Sequence, residues 1–252
     1  MAFRPVERPA DWEPCSPLDI ATFRAAVVWT ALWAVNFPHG EQKRGDRANF
    51  VTNGINRRSV SAAGKLAWPS GNSSCGDLWH FVLYVIGFRG KYINRDAPGC
   101  EYTNGWNLIW AAAHPAFHST KKVTELKAGD LIRVGDRNDS NSLHVMVIVK
   151  DWKPGEKLCV AQYGGTLYLG TDGRYSEYPS DVHKDDLGRL VRGVGFDGER
   201  YSWEKSFDEG KTWKRYSKPL DGVLDLEKAI EWQREKKLLD SEVWLPPGFK
   251  VP

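Results

Sequence analysis

The chain of 252 residues is long enough to bury a sizeable core, and its 41% hydrophobic and 27% charged residues exclude an intrinsically disordered protein. The net charge of +3 is weak, and Lys and Arg are spread along the chain, so the composition gives no indication of nucleic-acid binding. The most apolar segment near the N-terminus contains Arg24 and is too short to span a bilayer, and no secretory signal precedes it. We therefore expect no membrane span and synthesis in the cytoplasm without a signal peptide.

The N-terminal part of the sequence predicts helices. Residues 1–15 are rich in proline and predict an extended arm. A helix is predicted over 17–36, because Ser16 is a good N-cap residue, Pro17 suits the first helical position and a broad apolar face follows. A second helix is predicted from about 75 to 87, where glycines end it. The segment GWNLIWAAAHPAF predicts a third helix, broken at its proline.

The pattern then changes to short β-rich runs separated by turn signals: AGDLIRVG, LHVMVIVKD, KLCVAQYGG and TLYLG. The segment RYSWEKSFDEGKTWKRYS predicts a β-hairpin, and residues 224–240 predict a charged amphipathic helix. Helices followed by a run of antiparallel strands indicate an α+β domain. We expect N-terminal helices packed on a small antiparallel sheet, with a C-terminal hairpin and helix.

Cys75 stands at the start of an apolar run, directly after a polar loop that ends in Ser73 and Ser74. Because serine is a good N-cap residue, Cys75 is predicted in the first turn of the second helix. There the unpaired backbone N–H groups and the helix dipole favour a thiolate over a thiol, which suits a nucleophile. The cysteine spacing resembles neither a metal site nor a disulfide framework, so free thiols are predicted, although a disulfide between some pair stays open. The other three cysteines are Cys15, Cys100 and Cys159.

A cysteine nucleophile needs a base within hydrogen-bond reach, and that base needs a group that orients it. Among the histidines, His144 differs because it begins an apolar strand directly after the polar loop GDRNDSNS, where a polar residue costs free energy unless it is used. His80 follows Cys75 in the same predicted helix, about 140° round the axis, and is expected to point away. The alternative for His144 is a strand-end histidine that faces solvent.

Gln162 is the candidate for the orienting group. Folding the strand of His144 back as a hairpin about Pro154 sets position 164 opposite His144. Gln162 then falls within two residues of His144, a shift that a β-bulge could absorb. Its side-chain carbonyl could accept a hydrogen bond from the imidazole N–H and fix the tautomer. The alternative is an ordinary polar residue at a strand end.

In this order the residues resemble the papain-like NlpC/CHAP cysteine peptidases: a cysteine at a helix start, the AGDLI strand, a histidine that leads an apolar strand, and a polar residue on the next strand. The resemblance covers roughly residues 65–170. The segment SSCGDLW matches the nucleophile segment of the family only in the cysteine and its helix context. The resemblance implies that Cys75 is the nucleophile, His144 the general base and Gln162 the third polar residue.

The resemblance implies a hydrolase that cleaves an amide in bacterial cell-wall peptidoglycan, with no metal or other cofactor. His144 would keep Cys75 ionised, the thiolate would attack the scissile carbonyl, and His144 would protonate the leaving amine before water releases the acyl-enzyme. The backbone N–H of Cys75 would donate to the oxyanion. Asn72 and Ser74, in the loop before it, are the candidate oxyanion or substrate-binding residues.

On this interpretation the chain divides into an arm and helix over 1–40, a catalytic domain over 41–195 and a hairpin–helix extension over 196–252. A substrate outside the cytoplasmic membrane needs delivery, for which a phage tail or a secretion machine is the expected carrier. We expect residues 1–15 and 215–252 to bury surface against other proteins of that assembly. Two other functions stay open: a non-catalytic papain-like component of a phage tail or baseplate, and a papain-like toxin that modifies proteins.

The segment SFDEGKTW matches the Ser-x-Asp-x-Gly-x-Thr-Trp pattern of an Asp box, a hairpin turn of sialidases and other glycan-handling proteins. Asp208 is predicted to bind turn amides, Gly210 to take a positive φ and Trp213 to pack on the hairpin. A single copy is typical of a stable hairpin. The alternative is a glycan contact through Trp203 or Trp213.

Overall fold

The computed structural model describes residues 12–16, 19–36, 82–83, 85–88, 114–136, 143–162, 174–177, 182–184 and 190–252. Within these residues the helices are α1 (Ile20–Asn36) and α2 (Leu226–Glu235). The strands are β1 (Glu13–Cys15), β2 (Phe117–Ser119), β3 (Leu131–Val134), β4 (His144–Ile148), β5 (Cys159–Gln162), β6 (Arg174–Glu177), β7 (His183–Lys184), β8 (Leu190–Phe196), β9 (Arg200–Ser206), β10 (Lys214–Leu224) and β11 (Val243–Leu245). Cys75, the predicted strand at TLYLG and most of the predicted third helix lie outside the described residues.

The described strands form an antiparallel sheet of nine strands and a separate pair, which with the helices makes an α+β architecture. The order in the large sheet is β6-β5-β4-β3-β10-β9-β8-β7, with β2 also paired to β10. The sheet is larger than expected, because β10 pairs along one half with β9 and along the other with β3. The predicted C-terminal hairpin is therefore part of the main sheet. A register shift between Leu220 and Gly222 marks the point where β10 passes to β3.

Two hydrophobic cores cover the two faces of the sheet. On β4, Val145 and Val147 belong to the first core, whereas Met146 and Ile148 belong to the second, as the alternation of a strand requires. The first core also takes buried residues from α1, α2, β11 and residues 82–83 and 85–88. Because this core draws on all three predicted segments of the chain, the boundaries at 40 and 195 do not separate independent cores.

Helix α1 begins later than predicted. Asp19 is its N-cap: the Thr22 N–H donates to Asp19 Oδ1 at 2.6 Å, and the Phe23 N–H donates to the Asp19 carbonyl at 3.1 Å. The predicted cap, Ser16, is exposed and stands one turn too early. Aspartate accepts hydrogen bonds with a full negative charge at the positive end of the helix, and this favours Asp19 over Ser16. Within the described residues no helix combines the length and apolar character needed to cross a membrane.

The described end of the predicted second helix closes at a glycine, as expected. The Ile86 N–H donates to the Val82 carbonyl at 3.1 Å, which is the hydrogen bond of an α-helix. Gly87 then takes a φ of +93°, and the Phe88 N–H donates to the Leu83 carbonyl at 3.0 Å. This is the Schellman arrangement that commonly ends helices. A Cβ on Gly87 would meet Val243 Cγ1 at 2.7 Å, so the helix end lies against β11.

Described segments from the N-terminal and C-terminal parts of the sequence contact each other. Strand β1 pairs antiparallel with β11, and Trp12 packs edge to face on Trp33 with ring centroids 5.3 Å apart. The indole N–H of Trp29 donates to the Pro246 carbonyl at 3.1 Å, so the C-terminal tail lies along α1. The described parts of residues 1–15 and 215–252 contribute buried residues to the cores of this chain. The expectation that these segments also bury surface against other proteins stays a prediction.

The Asp box folds as predicted. Asp208 accepts from the Thr212 N–H at 2.8 Å and from the Thr212 hydroxyl at 2.7 Å, while the Gly210 N–H donates to Ser206 Oγ at 2.7 Å. Gly210 has a φ of +92°. The hydrogen bonds from Thr212 hold the pKa of Asp208 below its ordinary value. The turn is thus stabilised by its own side chains, and it joins β9 to β10.

Asp130 joins the helices to the sheet. Its Oδ1 accepts from Arg24 Nη1 of α1 at 2.9 Å and from the Leu226 N–H at the start of α2 at 3.2 Å. Its Oδ2 accepts from the Lys127 N–H at 3.0 Å. Gly129, just before it, has a φ of +91°, and a Cβ there would meet Leu226 Cδ2 at 2.7 Å. The structure explains the AGDL sequence. The absence of a side chain at Gly129 lets α2 approach closely, and the Asp130 carboxylate binds both helices.

We expect Asp130→Ala to lower the free energy of unfolding by about 3 kcal/mol, because it removes the carboxylate that pairs with the partly buried Arg24 and leaves two backbone N–H groups without their acceptor. Urea denaturation measures this loss. The control is Glu227→Gln: Glu227 is half exposed and reaches Arg24 only at 3.9 Å, so a change below about 0.5 kcal/mol is expected. Equal losses for both variants would contradict a central role for Asp130.

Candidate functional site

His144 is the first residue of β4 and only 4% of it is exposed. It pairs with Val134, the last residue of β3, and shares the face of Met146, which belongs to the second core. The predicted alternative, a strand-end histidine that faces solvent, is therefore wrong. The imidazole lies between strands and needs a polar partner there.

Gln162 supplies that partner. The His144 Nε2 and Gln162 Oε1 atoms are 2.9 Å apart, and both side chains are buried. Strands β4 and β5 pair Val147 with Ala161 and Ile148 with Val160, which is the register predicted from a hairpin about Pro154. Gln162 is diagonally across from His144 on the same face, and a long side chain covers that distance without a bulge.

This hydrogen bond fixes the tautomer of the ring. An amide oxygen can only accept, so Nε2 of His144 carries the proton that Gln162 binds. In the neutral ring the lone pair then lies on Nδ1, which is the atom able to accept a proton. The pair thus has the chemistry of a base and its orienting group. The catalytic roles of both residues remain predictions.

The ring is neutral at ordinary pH. Burial, followed by the positive charge of Lys218, lowers the pKa of His144 to about 4, while the hydrogen bond that the ring donates to Gln162 acts in the opposite direction. Burial dominates because taking an imidazolium out of water costs more than one neutral hydrogen bond returns. Sequence reasoning did not single out Lys218. Lys218 shares one face of β10 with apolar residues, but this can be recognised only when the register of β10 is known.

The other predicted site residues, Cys75, Asn72 and Ser74, lie outside the described residues. The nearest described part of that segment, residues 82–83 and 85–88, packs in the first core. His144 and Gln162 project from the opposite face of the sheet. A sulfur that meets His144 therefore has to approach at the end of the sheet where β4 begins.

Cys15 and Cys159 have the features of unreactive thiols. Neither is part of a disulfide, as predicted. Burial raises the pKa of the Cys15 thiol, and Cys159 is only 1% exposed inside β5. Both features disfavour reaction at these thiols.

His114 is a second buried histidine with a structural environment. Its Nδ1 accepts from the Ala116 N–H at 3.1 Å, and its ring packs edge to face on Trp232 of α2 with centroids 5.0 Å apart. Burial lowers its pKa to about 4. His114 therefore serves the turn before β2, where Pro115 interrupts the predicted third helix.

The glycan alternative is wrong for Trp203. This residue is 2% exposed in the second core, with its ring stacked on that of Tyr216. Trp213 is half-buried, and the guanidinium carbon of Arg192 lies 4.0 Å from its ring centroid. That cation–π contact occupies a ring face and supports the hairpin. Within the described ranges, no three His, Cys, Asp or Glu side chains are close enough to hold a metal ion.

Comparison of this chain with known families, with characterised proteins and with solved structures finds no match in any of the three. The roles of the candidate site residues are therefore inferred only from the geometry of the described residues.

We expect stability to fall as the pH drops from about 7 to 5, because His114 and His144 have a pKa near 4 in the folded chain and their ordinary pKa of 6.5 when unfolded. Protons then bind the unfolded chain preferentially, at roughly 1.4 kcal/mol for each pKa unit and group. Urea denaturation at several pH values measures the slope. His114→Asn should reduce it, since the amide oxygen replaces Nδ1, whereas exposed His118→Gln should leave it unchanged. A flat profile would contradict neutral buried histidines.

We expect iodoacetamide near pH 6 to label Cys75 first, because its predicted helix start favours the thiolate. Cys159 should react slowly because it is buried, and Cys15 because partial burial raises the pKa of its thiol. Peptide mapping after partial labelling measures the order, with urea-unfolded protein as the control in which all cysteines react. Preferential labelling of Cys15, Cys100 or Cys159 would contradict the thiolate argument.

Proposed function

We propose that this protein is a cysteine hydrolase of the papain-like NlpC/CHAP kind that cleaves amide bonds in bacterial peptidoglycan. The observation that supports the proposal is the buried hydrogen bond of 2.9 Å from His144 Nε2 to Gln162 Oε1. It leaves Nδ1 as the basic atom and fixes the plane of the ring, as a general base requires. The α+β architecture and the order of cysteine, histidine and amide along the chain agree with this proposal.

The reaction follows from a neutral imidazole. His144 Nδ1 takes the proton of the Cys75 thiol as the sulfur attacks the scissile carbonyl and the S–C bond forms. The backbone N–H of Cys75, with Asn72 and Ser74, stabilises the oxyanion. The imidazolium then gives its proton to the leaving amine as the C–N bond breaks. Water, deprotonated by His144, releases the acyl group and restores the thiol.

A carrier for this hydrolase, such as a phage tail or a secretion machine, belongs to the same proposal, because peptidoglycan lies outside the cytoplasmic membrane. The described parts of residues 1–15 and 215–252 contribute buried residues to the chain's own cores, so attachment would use residues that stay exposed. The same Cys–His chemistry would serve a toxin that modifies proteins, and the choice of substrate in the assay separates the two.

A second function is favoured by one observation. Residues 82–83 and 85–88, at the end of the helix predicted to begin at Cys75, pack on the sheet face opposite to His144 and Gln162. A non-catalytic component of a phage tail or baseplate would need no approach between Cys75 and His144. The His144–Gln162 hydrogen bond would then satisfy two buried polar groups.

We expect the purified chain to release new free amino groups from peptidoglycan, and Cys75→Ala to abolish the release, because the covalent step needs the sulfur. Cys159→Ala is the matched control, since it removes a buried thiol and should retain activity. Release from a denatured protein substrate but not from peptidoglycan would assign the modifying toxin. No release from either substrate by a folded wild-type chain would favour the non-catalytic function.

We expect Gln162→Ala to lower turnover by about tenfold to a hundredfold without abolishing it, because Gln162 orients the base but exchanges no proton with substrate. Turnover of peptidoglycan fragments measures this loss. Gln233→Ala is the control, because it removes another buried glutamine, on α2 in the described structure, that is not bonded to His144. A loss as complete as that of Cys75→Ala would assign Gln162 a larger role.

A further inference from the structure

Strand β10 has a strand neighbour on only one side over its N-terminal half. It pairs with β9 through residues 214–219 and with β3 only from Leu220 onward. Strands β3 and β9 lie on opposite sides of β10 in the sheet. On the β3 side, none of the described strands therefore runs beside residues 214–217. We call this side of residues 214–217 the β10 edge.

The hydrogen bond just after β3 shows which backbone groups face the β10 edge. The Gly135 N–H donates to the Pro219 carbonyl at 2.8 Å, so the polar groups of Pro219 point to the β3 side. In an antiparallel sheet the N–H and C=O groups of successive residues point to alternate sides. Those of Arg215 and Ser217 consequently point to the same side as Pro219, away from β9.

The backbone groups of Arg215 and Ser217 are exposed on this side. Gly135 has a φ of +119°, a value outside the range of a β-strand, so β3 ends there. Both Arg215 and Ser217 are exposed, and among the described residues no backbone group bonds to theirs on the β3 side. An exposed edge with its donors and acceptors in a row is a template for pairing with another chain.

The β10 edge carries positive charge. Lys214 and Arg215 are both exposed, and in the described ranges no carboxylate forms an ion pair with either of them. Glu204, which stands across from Arg215 on β9, is bound by Arg192 at 2.7 Å. The Lys214 ammonium lies over the Tyr216 ring, 5.5 Å from its centroid. An acidic chain is therefore the complementary partner of this edge.

We propose that the β10 edge docks an extended, acidic segment of another protein, which adds a strand antiparallel to β10 in continuation of β3. The backbone groups of Arg215 and Ser217 bind the main chain of this segment, as in other cases of strand addition. Its carboxylates alternate between the sheet faces, toward Lys214 on one face and Arg215 on the other. A second copy of this chain does not fit, because two basic edges repel each other. The proposal does not depend on hydrolase activity.

The test is amide hydrogen exchange, measured by NMR on the full chain. The probe is a short synthetic L-peptide in which glutamate alternates with threonine. In the free chain the amides of Arg215 and Ser217 should exchange quickly and that of Tyr216 slowly, because only the Tyr216 N–H faces β9. The peptide should slow exchange at Arg215 and Ser217. The control peptide, with glutamine in place of each glutamate, should bind more weakly.

Two variants separate the backbone from the charge. Ser217→Pro removes an N–H from the edge, at a position oriented like the natural Pro219, and should weaken peptide binding about fivefold. Its matched control is Ser217→Ala, which also loses the hydroxyl that accepts from Arg200 but keeps the N–H. Arg215→Gln keeps the backbone and should weaken binding about threefold. Lys157→Gln, in the exposed turn between β4 and β5, should bind as the wild type does.

Three results would overturn the proposal. The first is unchanged exchange at Arg215 and Ser217 with the acidic peptide, which would leave Lys214 and Arg215 to keep other chains off the edge. The second is slow exchange of both amides in the free chain, since the edge would then already be covered. The third is equal binding of the glutamine peptide, because the partner would then not be selected by charge.

Soluble peptidoglycan fragments serve as the comparison ligand. Protection of Arg215 and Ser217 by these fragments but not by the acidic peptide would assign the edge to the substrate and overturn the proposal. If Ser217→Pro does not fold, Arg215→Gln and the glutamine peptide decide the outcome. A wild-type chain without hydrolase activity that still binds the acidic peptide at this edge would contradict the hydrolase and support the docking surface.

Discussion

The carboxylate of Asp130 is the contact on which the described architecture depends. It stands at the entrance to β3 and binds Arg24 of α1 and the first N–H of α2. Two helices far apart in sequence are thereby fixed on one face of the sheet. With that face filled by helices, the alternating residues of β4 and β5 face the second core, where a histidine and a glutamine can pair away from water.

Local patterns predicted the hairpin that holds the candidate pair. Strands β4 and β5 are adjacent in sequence, and the turn at Pro154 fixes their register, so the approach of Gln162 to His144 followed from counting residues. The expected bulge was unnecessary, because the diagonal partner of a strand residue lies on the same face. The start of α1 was predicted one turn early, since Ser16 and Asp19 are both good caps and the surrounding contacts decide between them.

Non-local pairing could not be predicted in the same way. The C-terminal hairpin was expected as an extension, but β10 lies between β3 and β9. Nothing in the sequence of β10 indicates that it pairs with β3 as well as with β9. The reason for a glycine at position 222 is visible only in the folded sheet: a Cβ on Gly222 would clash with the Phe117 ring and the His118 carbonyl of β2. The buried environment of Lys218 and Trp203 was hidden for the same reason, since it exists only once these strands are joined.

The central position of β10 also constrains how the chain can be made. Leu131 and Leu224 are neighbours in the sheet, yet the ribosome completes β3 long before β10 has emerged. Until then β3 presents an open edge, and β9 has yet to gain its second neighbour. Strand β11, still later in the chain, is needed to cover β1. Formation of the complete sheet must therefore await the synthesis of β10, and such late, long-range pairing is intrinsically slow and leaves strand edges open to other chains meanwhile.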